Sequence, residues 1–205
     1  SGGTIHLGRA NANKVLSRIL YVLHREIPLS LQKIEGGNRS NAIPDRANAI
    51  FCVDSNSKQK LEEIFAQKKE QLLNEFREAD PKIDILLDFV DNAEKCFDDE
   101  STRKTIACLQ ALPHGVLAMS CQIPELVETS CNLAIVKNLE DKISIDISSR
   151  SSVDSSLLGN LAQIHAVGNL ADAEIMQGGI YPGWKPCLDS KLLKTAQSVF
   201  EELNT

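Results

Sequence analysis

Ser1-Gly2-Gly3-Thr4-Ile5-His6-Leu7-Gly8-Arg9-Ala10-Asn11-Ala12-Asn13-Lys14 opens the chain and sets how the rest is read. Glycines crowd a short apolar step, a histidine follows, and then a helix begins. Small residues at such spacing suit a tight turn, so the stretch predicts a strand end, a turn and a helix entrance. A histidine there lies at the rim of a sheet, where binding groups gather. Taken alone, His6 is more plainly a surface histidine in a flexible terminus.

Outward from this stretch, periodicity alternates between helix and strand. Val15, Leu16, Ile19, Leu20 and Leu23 fall on one helical face between Asn11 and Glu26, and Pro28 closes that helix. Leu29 to Ile34 predicts a short strand, 35–44 is rich in turn formers, and Ala47 to Val53 predicts a second strand. Ser55 to Ala79 predicts a long charged helix with a stripe of Leu61, Ile64, Phe65, Leu72 and Phe76. Ile83, Ile85, Leu87 and Phe89 predict a strand after Pro81. The pattern then recurs. Ser101 to Leu112 predicts a helix; Gly115 to Met119, Thr129 to Val136 and Ile143 to Ile147 predict strands. Val153 to Val167 predicts a helix stopped at Gly168, and Ala171 to Met176 predicts a last strand. After an irregular link containing the tryptophan, Trp184, a final helix runs from Asp189 or Ser190 to Leu203.

Both halves therefore run helix, strands, helix, strand. Amphipathic helices with this many strands predict an α+β fold of two ferredoxin-like units, forming a continuous antiparallel sheet with helices on one face. The units divide at about 1–92 and 93–178, and 179–205 is a link and a helix.

Composition narrows the function. A net charge of −6 over 205 residues argues against nucleic-acid binding, which needs basic surface. No apolar run reaches membrane-spanning length and no signal-peptide pattern is present, which predicts a cytoplasmic chain or a piece of a larger one, without membrane contact. The six cysteines contain no C-x-x-C pair, and several sit in apolar runs. Buried reduced thiols are expected, not a disulfide framework. The four histidines, His6, His24, His114 and His165, show no metal-ligand spacing. Asp98-Asp99-Glu100 precedes a helix and complements its dipole. Neither a phosphate loop nor a G-x-S-x-G elbow occurs. The residues alone describe an α+β domain without a complete active site.

Several motifs together resemble a known family. They are Ser1 to Gly8 with Asn11-Ala12-Asn13-Lys14, Gly36-Gly37, Asn41-Ala42-Ile43-Pro44, Gly115-Val116, Val127-Glu128-Thr129-Ser130, Arg150-Ser151 and Tyr181-Pro182-Gly183-Trp184. In this order, over essentially the whole chain, they resemble the lid (dimerisation-like) domain of the Xaa-His dipeptidases, zinc exopeptidases related to carnosinases and aminoacylases. The resemblance implies a parent enzyme that hydrolyses Xaa-His dipeptides in the cytoplasm. Its zinc would be held by a separate catalytic domain, and none by this fragment, which would be inactive alone. The implied partners are a dipeptide substrate and that catalytic domain, with a homodimer left open.

The resemblance also implies three site residues. His6 would be catalytic, stabilising the tetrahedral oxyanion. Arg150 would hold the dipeptide's terminal carboxylate with its planar fork, and Asn41 would hydrogen-bond the same end. On the residues alone, Arg150 could end a strand and pair with Asp146 or Asp154, and Asn41 could make an Asx turn. The family usually has arginine before Asn-Ala-Ile-Pro, where this chain has Ser40. The three residues are expected along a single edge of the lid. The alternative is a free-standing small-molecule binding or dimerisation module, since fold alone does not fix function.

Overall fold

The computed structural model describes residues 2–90, 95–180, 183 and 187–204. A 3₁₀ turn, Gly2–Leu7, opens the chain where a strand end was expected, so His6 lies within this turn. Helix α1, Ala12–Glu26, begins at its cap Asn11, whose side chain accepts from the Lys14 N–H. Strands β1 (Leu29–Gly36) and β2 (Ala47–Val53) form an antiparallel hairpin. Helix α2 (Lys58–Glu75) follows, and α3 (Asp99–Ala111) starts the second half with Asp98 as its cap. Strands β3 (Gly115–Met119), β4 (Val127–Asn138) and β5 (Ile143–Ser151) come next, then α4 (Asp154–Leu170) and α5 (Lys191–Asn204).

The five strands form one antiparallel sheet. Strand β4 is its spine. Along one edge it pairs with β5 from Thr129 to Asn138. A strand has only two edges, so β3 and β1 share the other, end to end. Cys131 is the last β4 residue paired to β3, and Val136 pairs with Gly36 of β1. Between them lies a gap at 132–135. Helices α2, α1, α3 and α4 pack side by side over one face of the sheet. Leu20, Leu23, Leu31, Leu61, Leu109 and Leu133 are buried in that interface, and such burial is the main stabilising term.

Gly36 and Gly37 make the junction between hairpin and spine possible. A Cβ on Gly36 would meet Asn13 Oδ1 at 2.0 Å and Ala47 Cβ at 2.6 Å. One on Gly37, at φ +71°, would meet the Ala134 carbonyl oxygen at 1.9 Å. Only glycine tolerates both the approach and the backbone angle.

Three expectations need correction. Neither Ile83–Phe89 nor Ala171–Met176 is a strand; both are irregular, without ladder pairing. Ile85 is buried, and Ile83 and Leu87 pack on the core. The alternation therefore records one-sided burial, which an extended segment satisfies without a partner strand. Gly168 does not stop α4, which runs on to Leu170. It is buried under Ile175, whose Cδ1 would lie 2.7 Å from an added Cβ. The cysteines are not uniformly buried: Cys108 and Cys131 are, Cys52 and Cys96 are half-buried, and Cys121 and Cys187 are exposed. Trp184, Tyr181 and Pro182 lie outside the described residues. Among the described residues no helix is long and apolar enough to cross a membrane.

Candidate functional site

The face of the sheet turned away from the helices is set by register. Asn132 pairs with Ser148 and Ser130 with Arg150. These four alternate with Cys131, Leu133, Ile147 and Ser149. Leu133 and Ile147 pack in the helix-side core, and Ser149 Oγ accepts from Asn160 of α4 at 2.8 Å. Side chains two apart on a strand share a face, so Arg150, Asn132, Ser130 and Ser148 lie on the other side.

The loop between β1 and β2 folds onto that face through the gap in the β4 edge. Asn132 Nδ2 donates to Ala42 O at 2.8 Å and to Ser40 O at 3.5 Å. The Ala12 N–H, at the start of α1, donates to Pro44 O at 3.0 Å. Both anchors use loop carbonyls, not the Ser40 side chain. The gap itself is filled by amide side chains. Asn11 Nδ2 donates to Leu133 O at 3.0 Å and reaches Asn132 Oδ1 at 3.3 Å. Asn13 Nδ2 reaches the same carbonyl at 3.4 Å. These side chains take the place of the missing strand, since a buried carbonyl needs a donor.

His114 completes the cluster, its Nδ1 lying 3.2 Å from Asn11 Nδ2. An amide nitrogen only donates, so this approach suits a neutral ring with Nδ1 as acceptor. Burial, with a smaller contribution from the charge of Lys14, lowers the His114 pKa from 6.5 to about 4. The Lys14 ammonium donates to Leu109 O, Gln110 O and Leu112 O at 2.8–2.9 Å and caps the end of α3. Burial, then the charge of Arg18, lowers its pKa to about 8.

Asn41 and Arg150 thus meet from opposite halves of the chain. With Ile5, Ser40, Ser130, Asn132 and Ser148 they line one hollow of about 10 Å³. His6 follows Ile5 in the opening turn, which packs on β3 and β4, and its side chain is exposed. The structure therefore brings Asn41 and Arg150 into one hollow and places His6 in the turn that forms its wall. Both Asn41 and Arg150 are exposed, and among the described residues no carboxylate pairs with Arg150. The pairing with Asp146 or Asp154 is not made.

A larger groove, about 1540 Å³, opens between α1, β2, α2 and residues 80–90. Neither Asn41 nor Arg150 is among its walls. It borders the outer edge of the hairpin, where apolar side chains flank an edge strand.

Asn132, Asn11 and His114 were not singled out from sequence as site residues. The signal for Asn132 was present: an amide inside the apolar run Cys131-Asn132-Leu133-Ala134-Ile135-Val136. Among the described residues no three His, Cys, Asp or Glu side chains gather as a metal site, so these residues do not fit a zinc ion.

Residues 1–80 match the family described as the peptidase dimerisation domain. The chain is 33% identical over 203 residues to the cytosol non-specific dipeptidase of Escherichia coli (strain K12), covering 99% of this chain and 42% of that protein. Its structure superposes with a TM-score of 0.92 on the crystal structure of the aminoacylhistidine dipeptidase from Vibrio alginolyticus, at 32% identity. That match covers 98% of this chain and 41% of the other. The chain thus spans about two fifths of the length of these relatives.

Proposed function

We propose that the chain, whose residues 1–80 match the peptidase dimerisation domain family, serves as the substrate-binding lid of a metal-dependent cytoplasmic dipeptidase acting on Xaa-His dipeptides. The observation that carries this reading is the convergence of Asn41 and Arg150 on one exposed hollow. The hollow is far too small to hold a dipeptide, because ligand pockets enclose about 300–1,000 Å³. It suits one wall of a site whose other wall belongs to a catalytic domain, the lid's partner.

Each residue then has a role. Arg150, exposed and without a carboxylate partner among the described residues, offers its fork to the terminal carboxylate of the dipeptide. Asn41 hydrogen-bonds the same end. His6 donates to the oxyanion of the tetrahedral intermediate, where a donor matters most. A catalytic domain's zinc would supply Lewis-acid activation of a water. The parent is read as a homodimer, in keeping with the family description. The domain boundaries follow the same reading: lid over 1–178, with 179–205 leading back to the catalytic domain.

Kinetics on the full-length enzyme test the assignment. His6→Ala should lower kcat more than it raises KM, because its contact forms in the transition state. Arg150→Ala should raise KM by about 10- to 100-fold, the loss of a charge-assisted hydrogen bond worth about 1.5–3 kcal/mol. A dipeptide amide, lacking the carboxylate, should be a poor substrate for wild type and should show no further loss with Arg150→Ala. Wild-type kinetics in both variants refute the roles.

A further inference from the structure

We propose that Cys52 and Cys96 form a reversible disulfide, a redox latch tying β2 to the connector that enters α3. Their sulfurs lie 2.8 Å apart, inside ordinary contact distance, whereas a formed bond measures about 2.05 Å. Both residues are half-buried and open to a small oxidant, unlike the buried Cys108 and Cys131.

The approach is fixed from both sides. Cys52 sits near the end of β2, held in register opposite Ser30. On the connector, the Phe97 N–H donates to Leu31 O at 2.7 Å, and the Phe97 ring packs against the core. Asp98 then caps α3 by accepting from the Ser101 N–H. Two anchors immediately after Cys96 therefore hold its sulfur at the hairpin.

Burial, then the hydrogen bond with Cys52, pushes the Cys96 thiol up to about 11, which disfavours its thiolate. With hydrogen peroxide as oxidant, the Cys52 thiolate attacks one peroxide oxygen and the O–O bond breaks. Hydroxide leaves and takes up a proton as water, and Cys52 becomes a sulfenic acid. The Cys96 sulfur then attacks the Cys52 sulfur and the S–O bond breaks. The hydroxyl leaves with the Cys96 proton as a second water. Two thiols and one peroxide give one disulfide and two waters, and a dithiol reductant reverses the bond by exchange. The closed loop contains α2, so the bond limits the unfolded chain and stabilises the fold.

The test is peptide mapping of the reduced protein after peroxide treatment, with residual thiols blocked and digestion carried out without reductant. The expected result is a Cys52–Cys96 linked peptide pair that dithiothreitol erases. The oxidised protein should also melt about 5 °C above the reduced form. Cys52→Ser and Cys96→Ser should each abolish the linked pair, and mapping of the unaltered chain decides the matter if either variant fails to fold. Recovery of the two peptides as separate alkylated or sulfinic species after peroxide is consumed overturns the proposal. So does linkage of Cys52 to Cys121 or Cys187.

Discussion

Acidifying the protein from pH 7 to pH 4 should charge His114 and loosen the amide cluster behind the candidate site. The His114 pKa is held at about 4 in the fold, below the unfolded value of about 6.5. The neutral ring is the form that the fold prefers. Above pH 6.5 both states are neutral and nothing is lost. As pH falls from 6.5 towards 4, the unfolded chain takes up a proton that the folded chain resists, so stability drops. Below 4 both are charged and the full penalty stands. A shift of this size corresponds to about 3 kcal/mol, an upper figure for a ring that is half-buried. The cause is burial first, which disfavours the charged ring, and then the charge of Lys14; protonating Nδ1 would also set a hydrogen against the Asn11 amide, 3.2 Å away. Urea unfolding at pH 7, 5 and 4 should be measured for wild type and His114→Gln, which keeps an acceptor but cannot titrate. Carboxylates titrate equally in both proteins, so the difference isolates His114. Wild type should lose up to about 3 kcal/mol more than the variant by pH 4. Equal losses, or an NMR titration placing the His114 pKa near 6.5, refute the reasoning.

Two further substitutions probe the same region. Asn132→Ala removes the donor to Ala42 O and Ser40 O; a cost of about 1–3 kcal/mol should accompany faster hydrogen exchange over residues 38–46, with the α1 core unchanged. Gly37→Ala drives a Cβ into the Ala134 carbonyl at positive φ and should cost about 3 kcal/mol or more, read as a fall in the urea midpoint.

The helices and the five paired strands were legible from apolar spacing and turn signals, α1 most plainly, with Val15, Ile19, Leu20 and Leu23 buried along it. Asn11 to Lys14 reads as a helix entrance, and Asn11 is indeed the cap of α1. Its second role was not legible, since the Leu133 carbonyl lies 122 residues away in sequence. The two false strands share one cause. Ile83, Ile85 and Leu87 have the right alternation, but a ladder also needs a free edge in reach, and no local pattern reports that. Arg150 and Asn41 carried no chemistry visible from their neighbours; their meeting depends on the β4–β5 register and on the hairpin loop, both long-range. The proximity of Cys52 to Cys96 was hidden for the same reason.

The gap in the β4 edge explains how one rigid surface is assembled from two halves. Asn41 comes from the first half and Arg150 from the second, and the strand pairing between the halves is a single position, Gly36 with Val136, beside helix packing and hydrogen bonds such as that from the Phe97 N–H to Leu31 O. A ladder that short gives little resistance to sliding. The amide cluster supplies the constraint: Asn11 and Asn13 satisfy Leu133 O, and Asn132 grips the loop that carries Asn41. Hydrogen bonds are directional, so this seam sets register as well as adding stability. It also separates holding the site from using it. The asparagines that fix the geometry are buried, while Asn41, Arg150 and His6 remain exposed. Two polar contacts from an open hollow contribute about 2–4 kcal/mol, less than the roughly 4–15 kcal/mol that association costs. Such a surface would orient a dipeptide only when a second wall closes over it, which is the physical sense of the proposed lid role.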